Sequence, residues 1–283
     1  MSNVTVTPVV IPSIRSTQRS STMKVSTLSL AVLAVFCLAS AASAANVQSG
    51  IAGDTATIKV GETTVTIPTP HPSVPGLPGI GHISVGNGTL VSFDALQNID
   101  DPAVTTVGTG EAGDWKRTHI TPPPNVDPPH DKIGYFNFVQ VATESVYFGE
   151  WSQEGNSSDS RHTVYYAGKA DDVVNTLPTQ TATYTVVGIN NGGILNGSLT
   201  ANFGGNNQLS GTFFNSDLTI DIAATINTVD ASFSGGALAN GIDEGTFGTA
   251  KGHFFGDGAT ALAGITDFAS DSSLNTAFGG IKD

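Results

Sequence analysis

"TATYTVVGINNGGILNGSLTANFGGNNQLSGTFFN" runs from Thr181 to Asn215 and holds three strand-length segments separated by tight-turn residues. In TATYTVVGI, LNGSLTANF and QLSGTFFN, apolar residues alternate with Thr, Ser and Asn, the period-two pattern of strands packed on one face. Gly-Gly and Asn-Asn pairs, as in Gly204 to Asn207, supply the turns between them. The same texture extends outward, with HTVYYAG before this stretch and LTIDIAATI, DASFSGG, GHFFG, GITDF and NTAFGG after it. About eight strands joined as hairpins favour a closed up-and-down β-barrel, because closure removes the unpaired edges that invite aggregation. A transmembrane barrel is the competitor. Its strands should be about 9 to 11 residues long with an apolar outer band, whereas most of these segments read as shorter and alternate with Thr, Ser, Asn and Asp.

Upstream of the barrel the signals remain those of strands. TATIKVGETTVTI from Thr55 reads as two short strands about a Gly-Glu turn, HISVGNGTLVSF from His82 as a hairpin, and IGYFNFVQV and SVYFGEW as two further strands joined by ATE. No stretch carries a long apolar pattern at helical spacing, so the fold class is all-β. EWSQEGNSSDSRH, from Glu150 to His162, is polar and small, as a connection between compact units should be. The expected organisation is a signal region over 1–44, a β-rich N-terminal ligand-binding handle over 45–160 and an eight-stranded barrel over 161–283.

The signal is read from Met23, the expected true start. Lys24 provides the positive charge, LSLAVLAVFCLA the apolar run, and Ala42, Ser43 and Ala44 a small-residue cleavage site. The run is shorter than the roughly 20 residues that span a bilayer. Cys37 follows the bulky Phe36, which does not suit a lipidation signal, so a released, unlipidated extracellular protein is expected. Past Ala44 the chain has neither Cys nor Met, since Cys37, Met1 and Met23 all precede it. Disulfides, thiolate zinc sites and cysteine nucleophiles are thereby excluded. Of the 11 basic residues only Arg15, Arg19 and Lys24 precede Ala45, so eight face all 24 acids beyond it, a formal charge of −16. Nucleic acid is not an expected partner for such a surface. Catalysis is not expected either, because there is no G-x-S-x-G elbow and no H-E-x-x-H, and neighbouring carboxylates such as Asp243 and Glu244 would point to opposite faces of a strand.

Two segments stand apart from the strand pattern. HPSVPGLPGIGH begins at His71 and ends at His82; HITPPPNVDPPH begins at His119 and ends at His130. Proline fixes φ and removes a donor, so both segments are expected as exposed, pre-ordered loops rather than central strand. Four of the six histidines lie in these two loops. His162 and His253, within barrel-like segments, are read as surface residues.

GKADDVVNTLPTQTATYTVVGINNGG from Gly168, LSGTFFN, and GHFFGDGATALAGITDFASDSSLNTAFGGIKD at the end of the chain resemble the C-terminal barrel of bacterial surface lipoproteins and hemophilins. These proteins are exported through Slam-type outer-membrane translocons, and transferrin-binding protein B shares the barrel type. KIGYFNFVQV, SVYFGEWSQ and RHTVYYAGK resemble the hemophilin branch in particular. The resemblance covers about half of the chain and is weaker over 46–130. It implies a secreted hemophore whose handle holds haem through loop histidines and delivers it to a TonB-dependent outer-membrane receptor, with host haem proteins as a further partner.

With Cys and Met absent, axial ligation would fall to His or Tyr. His71 and His130 are the first expected pair, with His82 and His119 as substitutes. Trp115 and Tyr135 are expected as flat contacts, although ordinary packing serves them equally well. Lys116 and Arg117 are expected at the propionates, with a solvated basic pair as the alternative. The same imidazoles could instead hold zinc, copper, nickel or cobalt, or another tetrapyrrole, and a host-protein binder of the transferrin-binding type is the remaining class.

Overall fold

The computed structural model describes residues 46–283 apart from 69–70, 102, 107–114, 124–129, 143, 157, 171–172 and 242–244. The expected signal region, Cys37, and the Asp243–Glu244 pair lie outside the described residues. Three sheets account for most of the rest.

Eight antiparallel strands form the barrel: β10 (Thr181–Asn190), β11 (Gly193–Asn202), β12 (Gln208–Phe214), β13 (Thr219–Asn227), β14 (Ser232–Asn240), β15 (Thr246–Phe255), β16 (Ala261–Asp267) and β17 (Thr276–Lys282). Closure comes from β10, which pairs with β11 along its whole length and with β17 from Tyr184 to Ile189. Several strands reach nine or ten residues, so length does not separate this barrel from a membrane one. Side-chain direction does. Tyr184, Leu199, Leu209, Phe213, Phe233 and Phe254 fill the interior, while Thr183, Thr185, Ser198, Thr200 and Ser210 point outward to solvent. An apolar interior and a polar outer wall reverse the arrangement of a lipid-facing barrel.

One flank of the barrel breaks the alternation. In β16 every residue from Ala261 to Thr266 is buried, and in β10 burial is continuous from Val186 to Ile189. Continuous burial means that both faces are covered. The cover is a six-stranded sheet ordered β1–β9–β8–β7–β6–β5, built from β1 (Val47–Ala52), β5 (Val104–Thr106), β6 (Lys116–Ile120), β7 (Tyr135–Gln140), β8 (Val146–Ser152) and β9 (Thr163–Lys169). Its strands alternate between two cores, as period two requires. Val139, Phe148, Val164 and Tyr166 pack on Val187, Ile189, Ala263 and Ile265 of the barrel. Phe138, Tyr147, Trp151 and Tyr165 face the other way.

The strand Thr163–Lys169 therefore does not belong to the barrel, where the sequence reading places it. It pairs with β8 from Val146↔Gly168 to Trp151↔Thr163 and with β1 from Val47↔Lys169 to Ala52↔Val164. The handle thus extends to Lys169, beyond the expected boundary at 160. The polar Gln153–Arg161 segment is a hairpin connection inside the handle sheet, not a linker between domains.

A three-stranded sheet of β2 (Ile58–Glu62), β3 (Pro78–His82) and β4 (Val91–Ser92) covers the second face, together with the short helix α1 (Phe93–Gln97). Only one strand forms within TATIKVGETTVTI. The C-terminal half of the first proline loop is, contrary to expectation, the central strand of this sheet. Pro78 sits at the strand start, where a missing N–H is tolerated, and the intervening glycines let neighbours approach closely. A Cβ on Gly79 would lie 2.7 Å from the Val91 carbonyl oxygen. Ser92 caps α1, its Oγ accepting from the Ala95 N–H at 3.2 Å. The cap aims Phe93 into the core, stacked on Tyr147 at 4.9 Å between ring centroids.

Candidate functional site

Between the three-stranded sheet and the outer part of the six-stranded sheet lies a half-open cavity of about 140 Å³. Ile80, Val91, Leu96, Val104, Ile120 and Phe136 supply much of its apolar wall. Three histidines reach it from separate elements, namely His71, His82 and His130.

Each imidazole is positioned by a local device. His71 lies in a loop closed by the Ile67·Ser73 bridge, with N–H···O bonds of 2.9 and 3.0 Å, and Thr63 Oγ1 braces the loop by donating to the Val74 carbonyl at 2.6 Å. His82 is the last residue of β3, paired with Ile58 and set 5.7 Å from the Trp151 ring. His130 opens the 3-10 turn His130–Lys132 before β7. That turn is tied to β8 by Trp151 Nε1–H donating to the Ile133 carbonyl at 2.8 Å and by Gln153 Nε2 donating to the Lys132 carbonyl at 3.2 Å.

The cavity favours neutral imidazole at two of these positions. Burial lowers the His71 pKa from 6.5, the proximity of His130 lowers it further, and Asp101 opposes both. Burial and then the Arg161 charge lower that of His82, against Asp54. His71 Nδ1 and His82 Nε2 are buried ring nitrogens without a hydrogen-bond partner among the described residues. An orphaned buried nitrogen costs about 1–3 kcal/mol, and a ligand that engages it recovers that loss. An apolar slot, neutral imidazoles and orphaned nitrogens fit a flat, largely apolar metal complex such as haem. Among the described residues no group of three or more His, Cys, Asp or Glu is placed to hold a bare ion.

The other expected contacts do not line this cavity. Ile120 faces it from β6 and Phe136 from β7, so their neighbours His119 and Tyr135 point to the opposite side of the sheet. There they border a second, polar recess of about 90 Å³ with Asn137, Glu150, His162 and Gly192. Trp115 is buried in the barrel-facing core, edge-on to Phe148 at 6.1 Å. Arg117 is taken up at the barrel junction, its Nε donating to Asn137 Oδ1 at 2.9 Å and an Nη to the Gly192 carbonyl at 2.7 Å. Lys116 reaches Asn98 Oδ1 at 3.5 Å, outside the lining.

The second recess explains His162, which is buried rather than on the surface. Its Nε2 lies 2.9 Å from Glu150 Oε2 and its Nδ1 2.9 Å from the Ser272 carbonyl. Both partners are acceptors, so both ring nitrogens carry protons. Glu150 in turn accepts from Asn137 Nδ2 at 3.1 Å and from the Asn191 and Gly192 N–H groups at 2.7 and 2.6 Å. Burial alone would lower the His162 pKa, but the Glu150 bond and charge raise it. Burial alone would raise the Glu150 pKa, but His162, Gly192 and Asn137 lower it. The ion pair ties the handle to the β10–β11 hairpin and to the segment before β17. His253 also lies at the junction, its Nδ1 2.8 Å from the Tyr166 hydroxyl oxygen. The sequence signal for this cluster was the isolated Glu150 within an apolar strand.

Comparison with known proteins agrees with the fold. The family model described as the HphA N-terminal heme-binding domain matches residues 41–163, and that of the HphA C-terminal domain matches residues 175–282. HpuA from Kingella denitrificans, solved in complex with human haemoglobin, shares the fold at 21% identity and a TM-score of 0.54, over 84% of this chain and 87% of that one. The apo structure of that haemoglobin receptor aligns at 19% identity and a TM-score of 0.51, over 85% and 88%. A transferrin binding protein B from Neisseria meningitidis aligns at 17% identity and a TM-score of 0.38, over 70% of this chain and 38% of that one. The two HphA models together span well over half of the sequence, from a haem-binding handle through to a closed barrel, and the chain belongs to the HphA family, a family of haem binders and not of enzymes.

Proposed function

We propose that the protein is an extracellular hemophore that holds haem in the handle cavity, with His71 and His130 as axial ligands to the iron. In this reading it crosses the outer membrane through a Slam-type translocon and passes its cargo to a TonB-dependent receptor. The observation that carries the site is the convergence of His71 and His130, from two proline-rich segments far apart in sequence, on one apolar cavity. When bound, haem would supply an iron open to imidazole ligation and a large apolar surface. The protein supplies the rest: Ile80, Ile120 and Phe136 exclude water, burial favours the neutral His71 that ligation requires, and the Trp151 and Gln153 bonds hold the His130 turn. The fold likeness to a haemoglobin receptor supports host haem proteins as a source of cargo.

Haem titration of the protein from Ala45 onward, followed by absorbance, tests the site. His71→Ala or His130→Ala should each shift the Soret band, and the double variant should lose tight binding while keeping the wild-type circular dichroism. A double variant that binds haem with an unchanged spectrum overturns the assignment.

A further inference from the structure

His82 also lines the cavity, yet its hydrogen bonding gives it a task different from that of an iron ligand. The backbone N–H of Ser84 donates to His82 Nδ1 at 3.1 Å. A backbone amide can only donate, so the Nδ1 lone pair is occupied and the ring proton sits on Nε2. That Nε2–H is buried, and no described residue accepts from it. Ligation through Nε2 would place a proton on Nδ1, facing the Ser84 N–H donor to donor. Metal-bound histidines do the reverse, donating their second nitrogen to an acceptor. His82 is therefore a fixed donor awaiting an acceptor from the ligand.

Electrostatics select the kind of acceptor. Arg161 acts on His82 with its guanidinium 5.9 Å from the Trp151 ring centroid, the same ring that packs beside His82. Asp54 opposes it. Asp101, by contrast, lines the cavity and acts on His71. A carboxylate at the His71 end would meet Asp101, whereas at the His82 end it would meet an N–H donor on which the Arg161 charge acts more strongly than that of Asp54. On the haem reading above, we propose that His82 Nε2–H donates to a propionate carboxylate of the bound tetrapyrrole, so that His82 orients the ligand edge and selects carboxylated porphyrins without touching the iron.

The test compares haem with its dimethyl ester on the wild type, His82→Phe and His82→Gln. Phenylalanine keeps a ring against Trp151 and removes the donor, while glutamine offers an N–H at about the Nε2 position. The wild type should bind haem about ten- to a hundredfold more tightly than the ester, the range of a hydrogen bond to a charged group. His82→Phe should lose that preference, bind the ester as the wild type does and keep the wild-type Soret maximum, and His82→Gln should regain most of the preference for haem. A shifted Soret band in His82→Phe would make His82 an iron ligand, and an equal loss for haem and ester would place the acceptor elsewhere than on a carboxylate. Either result overturns the proposal, as does a wild type that does not distinguish the two ligands. Failure of the haem reading itself has a separate signature, a wild type that develops no Soret shift with either.

Discussion

Replacing Glu150 by leucine should remove the main polar tie between handle and barrel while keeping a side chain of similar bulk. Four donors lose their acceptor at once: His162 Nε2, Asn137 Nδ2 and the Asn191 and Gly192 N–H groups. Breaking a buried ion pair from one side costs about 3–5 kcal/mol, and that range applies while His162 is charged. The pH dependence has a definite sign. The raised pKa of His162 makes its contribution complete below 6.5 and lost as pH climbs through the folded-state value. The lowered pKa of Glu150 makes its contribution complete above 4.5 and lost as pH falls through the folded-state value. Both are in force between pH 4.5 and 6.5. Urea unfolding of wild type and Glu150→Leu at about pH 5.5 and 8.5 should therefore show the larger deficit at the lower pH. The difference between the two proteins is the quantity to compare, because His71, His82, His119 and His253, all with lowered pKa values, tilt both raw profiles the other way. A deficit below about 1 kcal/mol at the lower pH, or an equal deficit at both, would refute the assignment of a buried ion pair.

A fragment of residues 175–283 should fold cooperatively around the barrel interior but self-associate, since Val187, Ile189, Ala263, Ile265 and Ala277 lose their cover. Sedimentation measures this, and a strictly monomeric fragment would contradict the junction. Gly279→Ala should destabilise by about 1–3 kcal/mol through overpacking, because the new Cβ would meet Phe148 Cδ1 at 2.6 Å and Val141 Cγ2 at 2.7 Å; chemical denaturation reads it. Trp151→Phe should weaken haem binding with little change of fold, because it frees the Ile133 carbonyl that anchors the His130 turn; parallel haem titrations and circular dichroism check both halves of the statement.

Much of the fold was legible in the chain because alternation and turn chemistry are local. Tyr184, Leu199, Leu209 and Phe213 alternate with Thr and Ser, and glycine and asparagine sit where the hairpins turn, so the eight barrel strands and their hairpin order follow from sequence. Period two says that a strand has two faces, but not which partner covers each. HTVYYAG reads like its barrel neighbours, yet Tyr165 and Tyr166 belong to two different cores of the handle, a fact that only the pairing of β9 with β1 and β8 decides. Four histidines in two proline-rich segments pointed to the handle, and composition left His and Tyr as the available ligands for a haem iron. Which of them meet was a tertiary matter. Strand parity sends Ile120 into the apolar cavity and its neighbour His119 to the barrel side, chain folding carries His71 and His130 to the same cavity, and a single amide proton from Ser84 occupies Nδ1 of His82 and leaves its Nε2 as a donor.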